Sequence, residues 1–182
     1  MSLPAIPGVD RILFTEEQIE GRILEVAAEI SGRYRGRVLK LIGVLKGSVF
    51  FLTELARHLE VPVKIDFLAI SSFSNKSGVP GVVRIAKDLD ESIENEDVLL
   101  VEDIVDTGFT LRYLLQTLAG RGPNSLSVCT FLDRTSRRIV QVPVEFRCFE
   151  IPDRFVVGYG LDHNQLYRNL GCVAVMKPDK NL

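Results

Sequence analysis

Apolar positions along this chain recur at two different periods, and the period switches wherever small and polar residues cluster. Thr15-Glu16-Glu17-Gln18 has the form of a capping box, in which side chains and backbone at a helix start satisfy each other. It opens a stretch where Ile19, Ile23, Ala27 and Ile30 share one face at steps of about 3.6 residues, so a helix is predicted up to Gly32 and the basic run Arg33 to Arg37. Val38 to Val44 reads as a buried strand, Leu45-Lys46-Gly47-Ser48 as a turn, and Val49 to Leu59 as a second helix. Val63 to Ser71 and Val82 to Lys87 are strand-like, and the polar, Gly-rich connection between them (73–81) is longer than a hairpin needs, which marks it as a mobile loop. A further apolar run, Asp97-Val98-Leu99-Leu100, leads into a third helix patterned by Leu111, Leu114, Leu115 and Leu118. Ser125 to Leu132, Val144 to Glu150, Val156 to Tyr159 and Cys172 to Met176 are the remaining strands, while Pro4, Pro7 and Gly8 make residues 1–14 an irregular arm.

Strands alternating with helices over the first two-thirds predict an α/β fold with a mostly parallel, doubly wound sheet flanked by helices. Strands with no helix between them near 63–87 and 144–176 add an antiparallel flap loop and a small cap built from both termini. The organisation expected is one domain over 1–182, with a core at about 38–140 and a cap from about 1–14 and 144–182.

Composition narrows the function more than the fold. With 22 basic and 24 acidic residues and a net charge of −2, the chain offers no electrostatic footprint for nonspecific nucleic-acid binding. Attraction for an anionic ligand must therefore be local. The three cysteines are isolated and odd in number, which reads as buried thiols in a reducing compartment. No basic region followed by an apolar core opens the chain and no apolar run reaches the length of a membrane span, so a cytoplasmic location is expected.

Val101-Glu102-Asp103-Ile104-Val105-Asp106-Thr107-Gly108-Phe109-Thr110 carries most of the chemistry. A buried strand delivers two adjacent carboxylates, then a small-polar turn, then the first turn of a helix. Helix N-termini leave N–H groups unpaired and carry partial positive charge, so Thr-Gly-x-Thr there is a ready phosphate cradle. Carboxylates at the strand's C-terminal end lie where open α/β sheets bind ligands. A phosphorylated sugar with free hydroxyls and a divalent metal fits that combination. Two plainer readings stay open at this point: Glu102-Asp103 as surface carboxylates, and Asp106 as a helix N-cap. There is no GxxxxGK[ST] and no GxGxxG after the first strand, which weakens ordinary ATPase and dinucleotide readings.

The segment from Glu102 to Thr110 resembles the phosphoribosyl-diphosphate signature of type I phosphoribosyltransferases. The resemblance extends, in order, through Leu45-Lys46-Gly47, Ser71-Ser72-Phe73, Lys87-Asp88-Leu89-Asp90, Val142-Pro143-Val144-Glu145-Phe146 and Ile151 to Asp162, covering about residues 8–177. The segment Phe155-Val156-Val157-Gly158-Tyr159-Gly160-Leu161-Asp162 is similar to the hypoxanthine-guanine, 6-oxopurine branch. The resemblance implies a purine-salvage enzyme. It would transfer 5-phosphoribose from its diphosphate donor to N9 of hypoxanthine or guanine, with Mg²⁺ as cofactor, no nucleic-acid or membrane partner, and a homodimeric or homotetrameric state.

Site roles follow from the resemblance alone. Glu102 and Asp103 are expected at the ribose hydroxyls and a metal, and Asp106 at purine N7 as the proton-transfer group. Thr107, Gly108, Phe109 and Thr110 are expected around the 5-phosphate. Lys46 and Gly47, in a turn that in the family holds a non-proline cis peptide, are expected at the pyrophosphate together with Ser72, Phe73 and Arg168. Phe155, the Val156 backbone and Arg134 are expected at the base, and Asp162 beside it at a second magnesium. Four positions depart from the family pattern: Phe73 and His163 each stand where Tyr is usual, Phe109 where a polar or basic residue is common, and Arg134 where a Lys contacts the purine 6-oxygen. His163 is read as supporting or exposed, and Arg137-Arg138 as a solvated face or subunit contact. The competing reading is an RNA-binding regulator on the same scaffold with weak pyrimidine phosphoribosyltransferase activity. The near-neutral charge and the 155–162 segment disfavour it.

Overall fold

A computed structural model of the chain describes residues 7–73 and 82–177. Its elements, in order, are β1 (Val9–Phe14), α1 (Glu16–Arg33), β2 (Leu39–Leu45), α2 (Val49–His58), β3 (Val63–Phe73), β4 (Val82–Lys87), β5 (Asp97–Val105), α3 (Phe109–Ala119), β6 (Ser125–Asp133), β7 (Phe146–Glu150), β8 (Val156–Val157) and β9 (Val173–Met176). The main sheet runs β4-β3-β2-β5-β6-β7, parallel throughout except for β4, which is antiparallel to β3. The expected mostly parallel, doubly wound α/β sheet is therefore present.

The strands read as continuous apolar runs because both faces of the sheet are covered. Leu39 and Leu41 of β2, Leu99 and Val101 of β5, and Cys129 and Phe131 of β6 pack with Ile19, Ile23, Val26, Ala27 and Ile30 of α1 and Phe51, Leu52 and Leu55 of α2. The alternate positions, Ile42 and Val44, Val98 and Leu100, and Val128, pack with Leu111, Leu114 and Leu118 of α3 on the other face. Each such side chain removed from water is worth about 1.5–3 kcal/mol, so the two-fold alternation locks the register of every central strand. The capping box at Thr15 is complete: its hydroxyl accepts from Gln18 N at 3.3 Å, and the Gln18 side chain accepts from Thr15 N at 2.9 Å.

Two sequence expectations need correction. The arm at 1–14 is not irregular throughout, since Val9–Phe14 forms β1 and pairs antiparallel with β9. Register shifts between Val9 and Arg11 and between Ile12 and Phe14 break the alternation that would have announced it. Val144 to Glu150, grouped with the cap by sequence, supplies β7 of the main sheet, lying parallel to β6 with Cys129 opposite Phe146. Its crossover over 134–145 carries a single 3-10 turn (Thr135–Arg137) in place of a helix, which hid the βαβ-like rhythm. The cap proper is the small antiparallel sheet β1-β9-β8, whose Val156, Val173 and Val175 join the core on the α1 and α2 side. The loop expected at 73–81 lies, from 74 on, outside the described residues. No helix among the described residues is long and apolar enough to cross a membrane.

From β2 the chain turns through α2 to β3 on one side, and from β5 it turns through α3 to β6 on the other. The adjacent C-terminal ends of β2 and β5 thus form a topological switch point, the crevice where open α/β sheets take ligands.

Candidate active site

A cleft of about 290 Å³ opens at that switch point. It is lined by Lys46 and Gly47 after β2, by Glu102 to Val105 at the end of β5, by Asp106, Thr107 and Gly108 in the turn after it, by Thr110 in the first turn of α3, and by Asp162 and Arg168 from the loop between β8 and β9. Residues far apart in sequence meet there through close backbone approach. The Leu45-Lys46 peptide is cis. A side chain on Gly47 would overlap the Asp103 carboxylate, and one on Gly160, which sits at φ 97°, would overlap the Gly47 carbonyl. The two glycines let the turn lie between the β5 carboxylate on one side and the C-terminal loop on the other.

Burial strongly perturbs the two carboxylates at the strand end. Burial, with the neighbouring Asp103 charge, pushes Glu102 well above the usual carboxylate range. Burial likewise raises Asp103 to about 6. The Asp162 carboxylate adds to that rise, while the Ile104 N–H, donating to Oδ1 at 2.7 Å, and the Arg168 charge oppose it. The plain surface-carboxylate reading of this pair therefore fails for Glu102, which is buried.

Opposite them, Arg168 donates to the Gly160 carbonyl at 2.7 Å and pairs with Asp162 Oδ1 at 2.7 Å. Gln165, which sequence reading passed over, accepts from both Lys46 Nζ (3.5 Å) and Arg168 Nη2 (3.4 Å), and its own N–H donates to Asp162 Oδ2 at 2.8 Å. Only the folded loop reveals that role: Asn164, Gln165 and Tyr167 all take positive φ, and His163 and Leu166 exchange backbone hydrogen bonds.

Asp106 is not the helix cap. Gly108 at φ 89° is the N-cap of α3, with no side-chain cap, and leaves the amides at the start of α3 unpaired within the helix. Asp106 Oδ2 instead accepts from Arg134 Nη1 at 3.2 Å and Arg137 Nη1 at 3.4 Å. Asp106 Oδ1 and Arg134 Nε are buried and have no hydrogen-bond partner among the described residues. Arg134 also donates through Nη2 to the Arg154 carbonyl at 2.7 Å, so it bridges the β5 loop to the segment entering β8.

Arg134, Phe155 and Val156 do not line the cleft but flank it beyond Asp106. Phe155 exposes a ring that His163 meets edge-on at 5.4 Å, and Val156 is buried in β8, opposite Val175. Phe109 opens α3 with its partly exposed ring beneath the Arg112 guanidinium at 5.6 Å. Ser72 and Phe73 belong to the backbone of β3, opposite Val83 and Val82 of β4. The reading of Arg137-Arg138 as a solvated face is corrected for Arg138, which is buried against Asp133 and donates Nε to the Asp106 carbonyl at 3.0 Å.

A metal needs donors that suit it. Among the described residues no three His, Cys, Asp or Glu side chains converge on one point. Two separate carboxylate stations, Glu102-Asp103 and Asp162, fit a hard cation that keeps waters and completes its shell with substrate oxygens, as Mg²⁺ does.

Comparison with known proteins agrees with this geometry. The family model described as "Phosphoribosyl transferase domain" matches residues 12–164. A Mycobacterium avium protein named hypoxanthine-guanine phosphoribosyltransferase is 46% identical over 179 residues, covering 94% of this chain and 88% of that one. The Salmonella typhimurium hypoxanthine phosphoribosyltransferase is 47% identical over 165 residues, covering 90% and 93%. A crystal structure of a Staphylococcus aureus hypoxanthine phosphoribosyltransferase superposes with TM-score 0.90 at 41% identity, covering 94% and 93%.

Proposed function

The chain belongs to the phosphoribosyltransferase family, and from that premise we propose how its cleft works. It transfers 5-phosphoribose from 5-phospho-α-D-ribose 1-diphosphate to N9 of hypoxanthine or guanine, giving IMP or GMP and pyrophosphate in purine salvage. The observation that carries the residue assignments is the single cleft in which the β5 loop, the cis turn and the Asp162-Arg168 loop meet.

In this reading the amides at the start of α3, with the hydroxyls of Thr107 and Thr110, receive the 5-phosphate, and Glu102 and Asp103 receive the ribose hydroxyls. Lys46 and Arg168 face the departing pyrophosphate, joined by the Gly47, Ser72 and Phe73 backbone. Breaking the C1–O bond develops positive charge on the ribose and negative charge on pyrophosphate, so fixed cations on one side and carboxylates on the other lower the barrier. Mg²⁺ bound at Asp103 and at Asp162 would supply further charge stabilisation of the leaving group. Phe155 stacks on the base and the Val156 backbone meets its edge. Asp106 Oδ1, buried without a partner, is the acceptor for the N7 proton, and Arg134 donates to the 6-oxygen. An acceptor beside a donor matches the N7–H and C6=O edge of a 6-oxopurine and mismatches adenine, which offers an amino group instead.

Steady-state kinetics with hypoxanthine, guanine, xanthine, adenine and uracil, each with and without Mg²⁺, test the assignment. Magnesium-dependent IMP and GMP formation is expected. Turnover of uracil alone, or RNA retention on filters with a steep salt dependence, would favour the regulator. Light scattering should give a homodimer or homotetramer.

A further inference from the structure

Every carbonyl of the turn between β5 and α3 accepts a hydrogen bond from a residue that does not line the cleft. The Asp106 carbonyl accepts from Arg138 Nε at 3.0 Å. The Thr107 carbonyl accepts from both Ile139 N and Val140 N at 3.0 Å, and the Gly108 carbonyl from Arg112 N at 3.0 Å. In a trans peptide the N–H points opposite to the carbonyl of the same unit. Holding these three carbonyls back therefore turns the N–H groups of Thr107, Gly108 and Phe109 forward, the arrangement of an anion-binding nest.

The main chain of 139–140 holds the Thr107 carbonyl, the first helical bond of α3 holds the Gly108 carbonyl, and a single side chain holds the Asp106 carbonyl. Arg138 is nearly inaccessible (8% exposed), and its Nη2 pairs with Asp133, itself 4% exposed. Asp133 is the last residue of β6, lies opposite Val105 in register, and takes a second guanidinium, Arg147 Nη1, at 3.1 Å. Its backbone carbonyl also accepts from Ile151 N at 2.9 Å. The anchor is thus the rigid end of a central strand, and the guanidinium reaches from it to the loop. The fit leaves no slack, since a Cβ on Gly108 would come within 3.0 Å of Arg138 Cδ.

We propose that Arg138 is a positioning residue for the phosphoribosyl donor. Paired with buried Asp133, it holds the Asp106 carbonyl back and so presents the amides of 107–109 to the 5-phosphate. This rests on the reading of that loop as the 5-phosphate cup. Arg138 touches no substrate and acts only through the backbone.

Arg138→Lys keeps a cation beside Asp133 but loses the planar fork that serves two acceptors at once. Calorimetry with IMP and with inosine isolates the phosphate contribution without requiring turnover. Wild type should bind IMP more tightly than inosine. In Arg138→Lys the IMP-to-inosine affinity ratio should fall about tenfold with inosine affinity unchanged, and KM for the donor should rise about tenfold while KM for hypoxanthine stays constant. A folded Arg138→Lys with the wild-type ratio overturns the proposal, and so does an equal loss for both ligands, which would mark a merely structural residue. If wild type shows no preference for IMP over inosine, the 5-phosphate cup itself is wrong and the proposal falls with it. Should Arg138→Lys fail to fold, Asp133→Asn, which frees the guanidinium while conserving shape, must lower the same ratio.

Discussion

Gly47→Ala tests whether the cis turn and the Asp103 carboxylate are fitted to each other. The added Cβ would lie 2.5 Å from Asp103 Cγ and 3.2 Å from its Cβ, and would overlap Oδ2. Carbon atoms in ordinary contact stand about 3.5–4.0 Å apart, so the carboxylate must move by about 1 Å or more. A misplacement of that size in a reacting constellation costs about 100-fold, or about 2.7 kcal/mol of transition-state stabilisation. Stability should hardly change. Moving the carboxylate gives up its bond from Ile104 N at 2.7 Å, worth about 1 kcal/mol. Replacing Gly by Ala returns about 0.4–1 kcal/mol by restricting the unfolded chain. Gly43→Ala is the control: there a Cβ meets Leu52 Cδ1 at 2.7 Å and Phe67 Cδ1 at 2.8 Å in the core. Overpacking of that kind costs about 1–3 kcal/mol, or about 2–4 °C in Tm for each kcal/mol, without touching the cleft. Steady-state kinetics and thermal unfolding on the same preparations should therefore separate the two variants. Gly47→Ala should lose about 100-fold in kcat/KM at nearly constant Tm, and Gly43→Ala should lose Tm at nearly constant kcat/KM. The reasoning is refuted if Gly47→Ala keeps kcat/KM within threefold of wild type, or if both variants lose stability and activity in proportion.

Asp106→Asn should lower kcat by at least about 100-fold with little change in donor affinity, because it removes proton transfer and leaves the loop backbone in place; near-wild-type turnover would remove Asp106 from that role. Because burial raises Asp103 to about 6 from its ordinary 3.8, the folded state binds the extra proton between those values. Metal-free stability should then fall as pH rises through that window, by up to about 3 kcal/mol. Asp103→Asn should abolish that contribution, with its Tm gain over wild type present at pH 8 and absent at pH 4, and a pH-independent difference would contradict it. The same titration should weaken Mg²⁺-dependent donor binding below about pH 6 in wild type, read by calorimetry at pH 5 and 8; equal affinity at both would exclude Asp103 from the metal and ribose side.

What could be read from sequence divides along a physical line. Local signals were legible: the Thr15 capping box, the apolar runs of β2 and β5, and the strand-turn-helix at 101–110 all arise from residues within a few positions of each other. Signals carried by a distant partner were not. β1 exists because β9 pairs with it through two register shifts, which erase its period. Gly47 reads as an ordinary turn glycine until β5 brings Asp103 against it. Arg137-Arg138 reads as a solvated pair because nothing local distinguishes them. In the fold Arg137 stays half exposed while Arg138 is buried on Asp133, the end of a strand that only tertiary structure brings alongside.

Asp106 is where the two halves of the site join, and its neighbours explain why. In the proposed assignment its carbonyl lies on the donor side, held by Arg138. In the same assignment its carboxylate lies on the base side, held by Arg134 at 3.2 Å, while the same guanidinium grips the Arg154 carbonyl at 2.7 Å. A lysine ammonium is a single point of donors on a flexible stem, whereas a guanidinium spans two acceptors with fixed geometry. With Arg at 134, the segment that enters β8 and carries Phe155 is linked to Asp106, the proton acceptor in the proposed reading. On the proposed assignment a base stacked on Phe155 would then be registered against Asp106 by the protein itself, with Arg134 Nε still free to donate. In the proposed reading that link joins base recognition to proton transfer through a single side chain, Arg134.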